Sequence, residues 1–406
     1  MYELSAVSSF DALVIGRGAV GAAAALGLAQ CGMRVAVVAP AAPEPRPAPG
    51  GDAWDPRVFA LSPGSRAVLQ QLRVWEALDA TRIAPVYDMR VYPSPREGAP
   101  ELHFCAYEAC VEALAWIVEN DNLMSGLGRA LGFAGVIGMD APLVAVDTET
   151  HGGATVTLED GRALRAKLVI GADGARSPLR ALLGISASER DYPQRAVVAN
   201  FATSKPHRDC AYQWFGEHGI LAMLPLPGDR CSIVWSAPLP LAETLAQLDA
   251  ETLARRVGDL SHGVLGDLRL ITPAQTFPLR LIEVERCVAH RVALVGDAAH
   301  VVHPLAGQGM NLGFGDLQVL LDTVRGREPF RDPGDLMLLR RYERARREPV
   351  ATMRMATDGL QRLFDPGSAP ALPALMRPLV GAREIGWRLI ESSSWLKRRL
   401  IAHAAL

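Results

Sequence analysis

The stretch Ala12-Leu13-Val14-Ile15-Gly16-Arg17-Gly18-Ala19-Val20-Gly21 decides how this chain is read. Four apolar residues of buried-strand type run into a Gly-x-Gly-x-x-Gly turn, and an alanine-rich helical pattern follows from Ala19 to Cys31. Gly32 closes that helix, and Val35-Ala36-Val37-Val38 makes a second strand. In this setting Gly16 permits the tight turn, Gly18 lets a pyrophosphate approach the backbone, and Gly21 lets helix and strand pack closely. The phosphates would lie over the helix N-terminus, at Ala19 and Val20. A glycine run alone is weak evidence, but strand, turn, helix and strand together make a dinucleotide-binding signature. One part of it departs from pattern. The second strand should end in an acid that accepts from the adenosine ribose hydroxyls; the residue there is Ala39, and the nearest acid downstream is Glu44. Either a neighbouring side chain substitutes, or dinucleotide affinity is reduced and Ala39→Glu would tighten it.

Around this core the chain is an ordinary globular sequence. Its 406 residues suit two or three domains, and 49% hydrophobic with 21% charged residues excludes wholesale disorder. A net charge of -2 excludes a dedicated nucleic-acid binder. The charge is unevenly spread: residues 331–406 hold 14 basic and 8 acidic side chains, and the remainder holds 28 and 36. Six cysteines without a Cys-x-x-Cys pair point to reduced, mostly buried thiols in a cytoplasmic protein. The apolar run from Leu13 to Val38 is no transmembrane helix, because it contains Arg17, Gln30, Arg34 and five glycines.

Farther along, residues 40–50 form a proline-rich loop. Helical spacing is read over Arg57–Leu78 and Val111–Leu131, and strands over Val144–Val156 and Leu164–Ile170. Alternation dominates from Ala211 to Ser236 and breaks at Pro227-Gly228-Asp229, a hairpin turn. Val292-Ala293-Leu294-Val295 is another buried strand, and the chain beyond about Leu336 reads as arginine-rich helix.

Two more motifs carry chemistry. Gly171-Ala172-Asp173-Gly174-Ala175-Arg176-Ser177-Pro178-Leu179-Arg180 follows a strand. Gly296-Asp297-Ala298-Ala299-His300 continues through His303-Pro304-Leu305-Ala306-Gly307-Gln308-Gly309-Met310-Asn311-Leu312-Gly313 into a helical stretch. A helix start of that kind stabilises negative charge on a ring placed before it.

With these motifs the chain resembles the flavin-dependent aromatic hydroxylases of the p-hydroxybenzoate hydroxylase fold, and among them the ubiquinone-biosynthesis hydroxylases. The likeness also rests on Asp55-Pro56-Arg57-Val58-Phe59-Ala60-Leu61-Ser62, on Ile117-Val118-Glu119-Asn120 and on Arg340-Arg341-Tyr342-Glu343-Arg344-Ala345-Arg346, all in family order. It implies an α/β fold: a Rossmann-like FAD-binding domain (1–88, 111–186 and 280–335), an inserted mixed β-sheet substrate domain (89–110 and 187–279) and a C-terminal helical region (336–406). It implies that Gly16, Gly18, Ala19, Val20 and Gly21 cradle the FAD pyrophosphate and that Arg57 approaches the phosphate or ribityl region. Asn120 would face the ribityl chain, and Asp173 and Gly174 would serve both FAD and the nicotinamide reductant. Asp297 would bond ribityl hydroxyls, while Pro304, Gly307, Gln308, Gly309, Met310 and Asn311 would line the flavin ring. Ala39 and Met124 replace the glutamate and glutamine usual in the family. The implied activity is hydroxylation of a polyprenylated phenol, with O2 as oxygen source and NAD(P)H as a transient reductant. Spacing marks out no catalytic base.

Several conspicuous residues have plainer readings. His300 and His303 lack a third ligand and are not taken as a metal site. Cys105 and Cys110 are read as buried packing residues. Tyr212, Trp214, Phe215 and Trp235 lie in the strand-rich region, where each is expected to be core more often than pocket lining. The run Arg340–Arg347 reads as a solvated helix face with local ion pairs. Trp387–Leu406, basic and apolar, would lie on an anionic inner-membrane surface or dock a partner of a biosynthetic complex. Two rival functions stand beside the hydroxylase: a monooxygenase of another apolar acceptor, and a scaffold that has lost efficient FAD binding.

Overall fold

The computed structural model describes residues 8–41, 53–92, 101–150, 152–302 and 308–364. The quoted stretch forms the centre of the first sheet. Strand Ser8–Ile15 pairs in parallel with Val35–Ala39 on one side and with Ala163–Gly171 on the other. Ile137–Asp140 adds to Val35–Ala39, and Val292–Leu294 adds to Ala163–Gly171, both in parallel. Parallel strands covered on both faces need continuous apolar runs, and Leu13, Val14, Leu168, Val169 and Ile170 are all fully buried. Helix Ala19–Gln30 is buried around most of its circumference, its Ala22–Ala25 run filling the space between the sheet and helix Gln308–Arg325. Small side chains are what let it lie so close: a Cβ at Gly27 would meet Leu321 at 2.4 Å.

The second sheet has nine strands, with the long antiparallel pair Ala187–Thr203 and Gln275–Val284 at its core. Arg230–Pro238, Gly219–Leu226 and Cys210–Gly216 follow as an antiparallel meander, and Asp88–Tyr92 joins its edge in parallel. The turn at residues 227–229 falls where the sequence places it; a second one at Glu217-His218 had no marked signal. On the other long edge, His300–Val301 pairs with Ile282 and Glu283 and ties this sheet to the loop at Gly296.

Strand alternation gives the second sheet two unlike faces. Val197, Ala199, Phe201, Trp214, Leu221, Ile233 and Trp235 point to one side, beneath helices Leu239–Leu245 and Ala250–Leu260. Tyr212 and Tyr92 stack on Trp214 on that same side, so Tyr212, Trp214 and Trp235, three of the four aromatic residues singled out above, belong to this core, and Phe215 is buried in another. Phe215 faces the opposite side, with Val91, Leu102 and Ile220.

Two expected helices begin as strands. Val58–Leu61 and Ala115–Glu119 form a small antiparallel sheet with Ile83–Val86, and only then do helices Pro63–Gln71 and Asn120–Phe133 start. The helical spacing was real but began late. Ser62-Pro63, an N-cap followed by proline at the first helical position, marks the first of these boundaries. Helix Leu336–Phe364 packs along Gln308–Arg325, and Tyr342 donates from its buried hydroxyl to Leu294 O at 2.8 Å. Residues 365–406 lie outside the described residues. Cys105 is half-buried and Cys110 exposed, contrary to the packing role expected of them. Among the described residues no helix is long and apolar enough to cross a membrane.

Candidate functional site

Three loops converge at the C-terminal end of the parallel sheet. In the first, Gly16 has φ of +110°, and a side chain there would collide with Ala172 O at 2.1 Å. Gly21 is equally constrained, because a Cβ would lie 2.3 Å from Gly16 O. Gly18 differs: among the described residues nothing lies within 4 Å of the Cβ it lacks. The helix that starts at Ala19 has no side-chain N-cap and no acid in its first turn. Two glycines shape the turn, the third leaves a vacancy, and the vacancy sits before uncapped N–H groups. That arrangement fits a pyrophosphate. Val20 turns its side chain inward, toward Gly296 and Gly313; a Cβ at Gly313 would be 2.7 Å from Val20 Cγ2.

The second loop follows strand Ala163–Gly171. Asp173 Oδ2 accepts from Leu179 N at 2.9 Å and so holds the start of the next short helix. Its Oδ1 is buried without a partner among the described residues, and burial raises its pKa above the usual carboxylate value. Gly174 is open on its Cβ side. Arg180, buried, donates to Ala175 O at 2.8 Å and to Ala298 O at 3.0 Å, which fastens this loop to the third.

The third loop carries Asp297. Its carboxylate is crowded by protein yet reachable by solvent, as expected of a group lining an open cleft, and burial pushes its pKa up against the opposing charges of His300 and Arg57. The loop is braced from behind by Asp316. Asp316 Oδ2 accepts from Gly296 N at 2.8 Å and from His300 Nε2 at 2.7 Å, while Oδ1 accepts from Arg346 Nε at 2.7 Å. Burial alone would raise the Asp316 pKa, but His300, Arg346 and the Gly296 N–H together hold it below the usual value. Arg346 therefore lies inside the protein and not on the solvated face expected of its run, and Glu343 accepts from Cys287 N. Among the described residues nothing lies within 4 Å of the Cβ that Gly309 lacks, at the start of helix Gln308–Arg325, and Met310 is half-buried against the core. Asn311 is turned inward: Oδ1 accepts from Ser62 N and Ser65 Oγ, and Nδ2 donates to Ala60 O. Pro304 and Gly307 lie outside the described residues, as does His303.

A fourth segment, Asp55-Pro56-Arg57, closes the side of the cleft. Asp55 accepts from Arg57 N, Asp121 N and Asn120 Nδ2, and Asn120 N donates to Arg57 O. Glu119, buried, accepts from Asp55 N and pairs with Arg82 at 2.7 Å. Burial raises the pKa values of both Asp55 and Glu119. Asn200 of the second sheet donates to Asp55 O at 2.8 Å. Asn200 shares its face of the sheet with Val198, Ser232, Val234, Ala222 and Leu224, so this less aromatic face lies on the side of the Asp55 segment. Met124 packs against the helical core. Asp316, Arg346, Arg180, Glu119 and Asn200 are the residues that sequence reasoning did not assign. Each acts through a contact far away in sequence, which no local spacing displays.

The comparisons agree with this geometry. Residues 9–357 match the family model of an FAD binding domain. The chain belongs to this FAD-binding family. It is 37% identical over 402 residues to the ubiquinone hydroxylase UbiL of Rhodospirillum rubrum, covering 97% of this chain and 89% of that protein. It is 32% identical over 396 residues to the 3-demethoxyubiquinol 3-hydroxylase of Escherichia coli, covering 96% and 97%. The crystal structure of Pseudomonas aeruginosa PqsL in complex with 2-aminobenzoylacetate superposes with a TM-score of 0.73 at 25% identity, over 88% of this chain and 97% of that one. With such relatives this family member is an FAD-dependent hydroxylase with the p-hydroxybenzoate hydroxylase-like fold.

Proposed function

We propose that the enzyme hydroxylates the aromatic ring of a polyprenylated phenol in ubiquinone biosynthesis, with NAD(P)H and O2 as co-substrates. The observation that carries the substrate class is the cleft-facing side of the second sheet. Its centre is neutral and mostly apolar (Val198, Ala222, Leu224 and Val234, with Asn200 and Ser232 between them), and among the described residues the cations on this face, Arg190 and Arg230, stand toward its ends, Arg190 over the Tyr192 ring. Arg230, at one end, is turned away to Pro227 O and the Trp54 ring. The names of the two hydroxylase relatives support the same substrate class.

Bound FAD supplies the redox chemistry that activates oxygen. The chain's own residues hold, orient and enclose. We assign Gly16, Gly18 and Gly21, with the N–H groups of Ala19 and Val20, to the pyrophosphate, and Asp297, Arg57 and Asn120 to the ribityl side. Gly309 and Met310 stand at the helix start that faces the ring, and Gly174 borders the cleft beside Asp173. Asn311 keeps the strand at Ala60 and the cap at Ser62 in place beside them. The apolar sheet face orients an apolar ring and excludes water from the reaction. The intact, uncapped cradle argues against a scaffold that has lost FAD. The basic stretch 387–406 is our candidate for peripheral contact with the anionic membrane in which such a substrate dissolves.

Purified protein titrated with FAD, then assayed for substrate-dependent NAD(P)H oxidation, tests this reading. Polyprenylated phenols should be turned over and 4-hydroxybenzoate should not. Val234→Trp, which fills the apolar face, should lower kcat/KM by roughly tenfold or more while FAD binding persists. Absence of saturable FAD binding, or faster turnover of the soluble acid, would overturn it.

A further inference from the structure

Strand Val35–Ala39 ends without the acid that dinucleotide folds use for the adenosine ribose. The parallel register places Ala39 beside Asp140, the last residue of the neighbouring strand. Cross-strand partners point their side chains to the same face, about 5 Å apart. Arg17, the second residue of the glycine loop, donates to Ala39 O at 3.3 Å and also to Asp140 Oδ1. Its guanidinium thus spans the place above the strand end that a longer side chain at position 39 would occupy. Asp140 Oδ2 accepts no hydrogen bond among the described residues, Arg162 also feels the charge of this carboxylate, and the side chain is 66% exposed.

We infer that Asp140, oriented by Arg17, is the carboxylate that receives the adenosine ribose hydroxyls of FAD in this chain. The acid has moved one strand outward, to an exposed position beside Ala39. Arg17 does two things there. It turns the carboxylate toward the loop that carries the pyrophosphate, and its charge offsets the repulsion between that carboxylate and the phosphates. A carboxylate accepting from sugar hydroxyls makes charge-assisted bonds, so its loss weakens binding measurably. The assignment rests on the FAD reading and says nothing about the substrate.

The test is titration of flavin-stripped protein with FAD and, separately, with FMN, followed by flavin fluorescence. FMN lacks the adenosine half and serves as the internal control. Asp140→Ala should weaken FAD binding about tenfold and leave FMN binding unchanged. Ala39→Glu in the intact chain should give no gain, because the new carboxylate crowds Asp140 and competes for Arg17. In the Asp140→Ala background the same substitution should restore FAD affinity, a rescue that no purely structural role of the pair provides. Asp140→Asn, nearly isosteric, should show an intermediate loss and guards against misfolding of the alanine variant. Unchanged FAD binding in Asp140→Ala, or equal losses for FAD and FMN, would overturn the inference. A parent protein that binds neither flavin would overturn the FAD reading itself, and this assignment with it.

Discussion

At the Gly296 loop a fully buried carboxylate, Asp316, accepts from three partners; at the outer end of the glycine loop an exposed carboxylate, Asp140, has Arg17. Both stand at the C-terminal edge of the same parallel sheet, yet they are built for different loads. The inner end is locked from behind by Arg346, which arrives from a helix thirty residues farther along. Nothing comparable buries the outer pair. Buried charge with every donor matched fixes a loop in one position, whereas a solvated pair can open and admit a ligand. On this view the ring end of the cradle is preformed and the nucleotide end adapts.

The comparison breaks most visibly at Asp316. Asp316→Ala leaves the Arg346 guanidinium, the Gly296 N–H and His300 buried without their acceptor, and removing one partner of a buried pair costs about 3–5 kcal/mol. Urea unfolding of the apoprotein should register a loss of that size, together with release of flavin from the holoprotein. A loss under about 1 kcal/mol would mean that the loop is held by something else.

A smaller effect is expected where Val20 meets helix Gln308–Arg325. Gly313→Ala drives a methyl group to 2.7 Å from Val20 Cγ2, and overpacking of this kind costs about 1–3 kcal/mol. Val20→Ala should relieve most of it, so a double-mutant cycle should show favourable coupling between the two substitutions. Simple additivity would place the strain elsewhere.

Acid should set Asp316 apart from the other carboxylates around the cleft. The folded-state pKa of Asp316 lies below the ordinary aspartate value, so its contribution is present above that value and is lost as pH falls through the lowered one. Asp55, Glu119, Asp173 and Asp297 have the opposite sign, because burial raises them and the folded state binds their protons more tightly. Stability should therefore hold or rise slightly on mild acidification and fall steeply below about pH 4. The stability difference between parent and Asp316→Asn should shrink over that same acid range; a difference independent of pH would assign the acid limb to other groups.

Much of the fold was written locally. Strand, glycine turn, helix and strand follow from Ala12–Val38 because a βαβ unit is made of neighbours in sequence, and the hairpin at 227–229 declares itself through proline and glycine. Val58–Leu61 and Ala115–Glu119 were hidden because short apolar runs fit either period, and only pairing with Ile83–Val86 decides between them. At the site, the glycines were legible because each answers to backbone geometry. Arg346 was not, since a run of arginines on a helix looks the same whether one of them is buried against a carboxylate or all are solvated. Ala39 was read as a defect for a similar reason. Its neighbour across the sheet is a hundred residues away in sequence, and only the register brings Asp140 beside it.

The smallest effect on stability should come from the outer pair. Arg17→Ala removes an ion pair whose side chains are 38% and 66% exposed, and pairs of that kind contribute about 0–1 kcal/mol. Unfolding of the apoprotein should therefore barely register the change. The holoprotein should register it more strongly, because a ligand that binds only the folded state stabilises it in proportion to the logarithm of its affinity, and Asp140 without Arg17 is no longer turned toward the ribose. Thermal unfolding of both forms, at one fixed FAD concentration, separates the two contributions. A midpoint that drops equally with and without FAD would make the pair a plain tie between loop and sheet edge; a drop confined to the holoprotein places its work in holding the nucleotide.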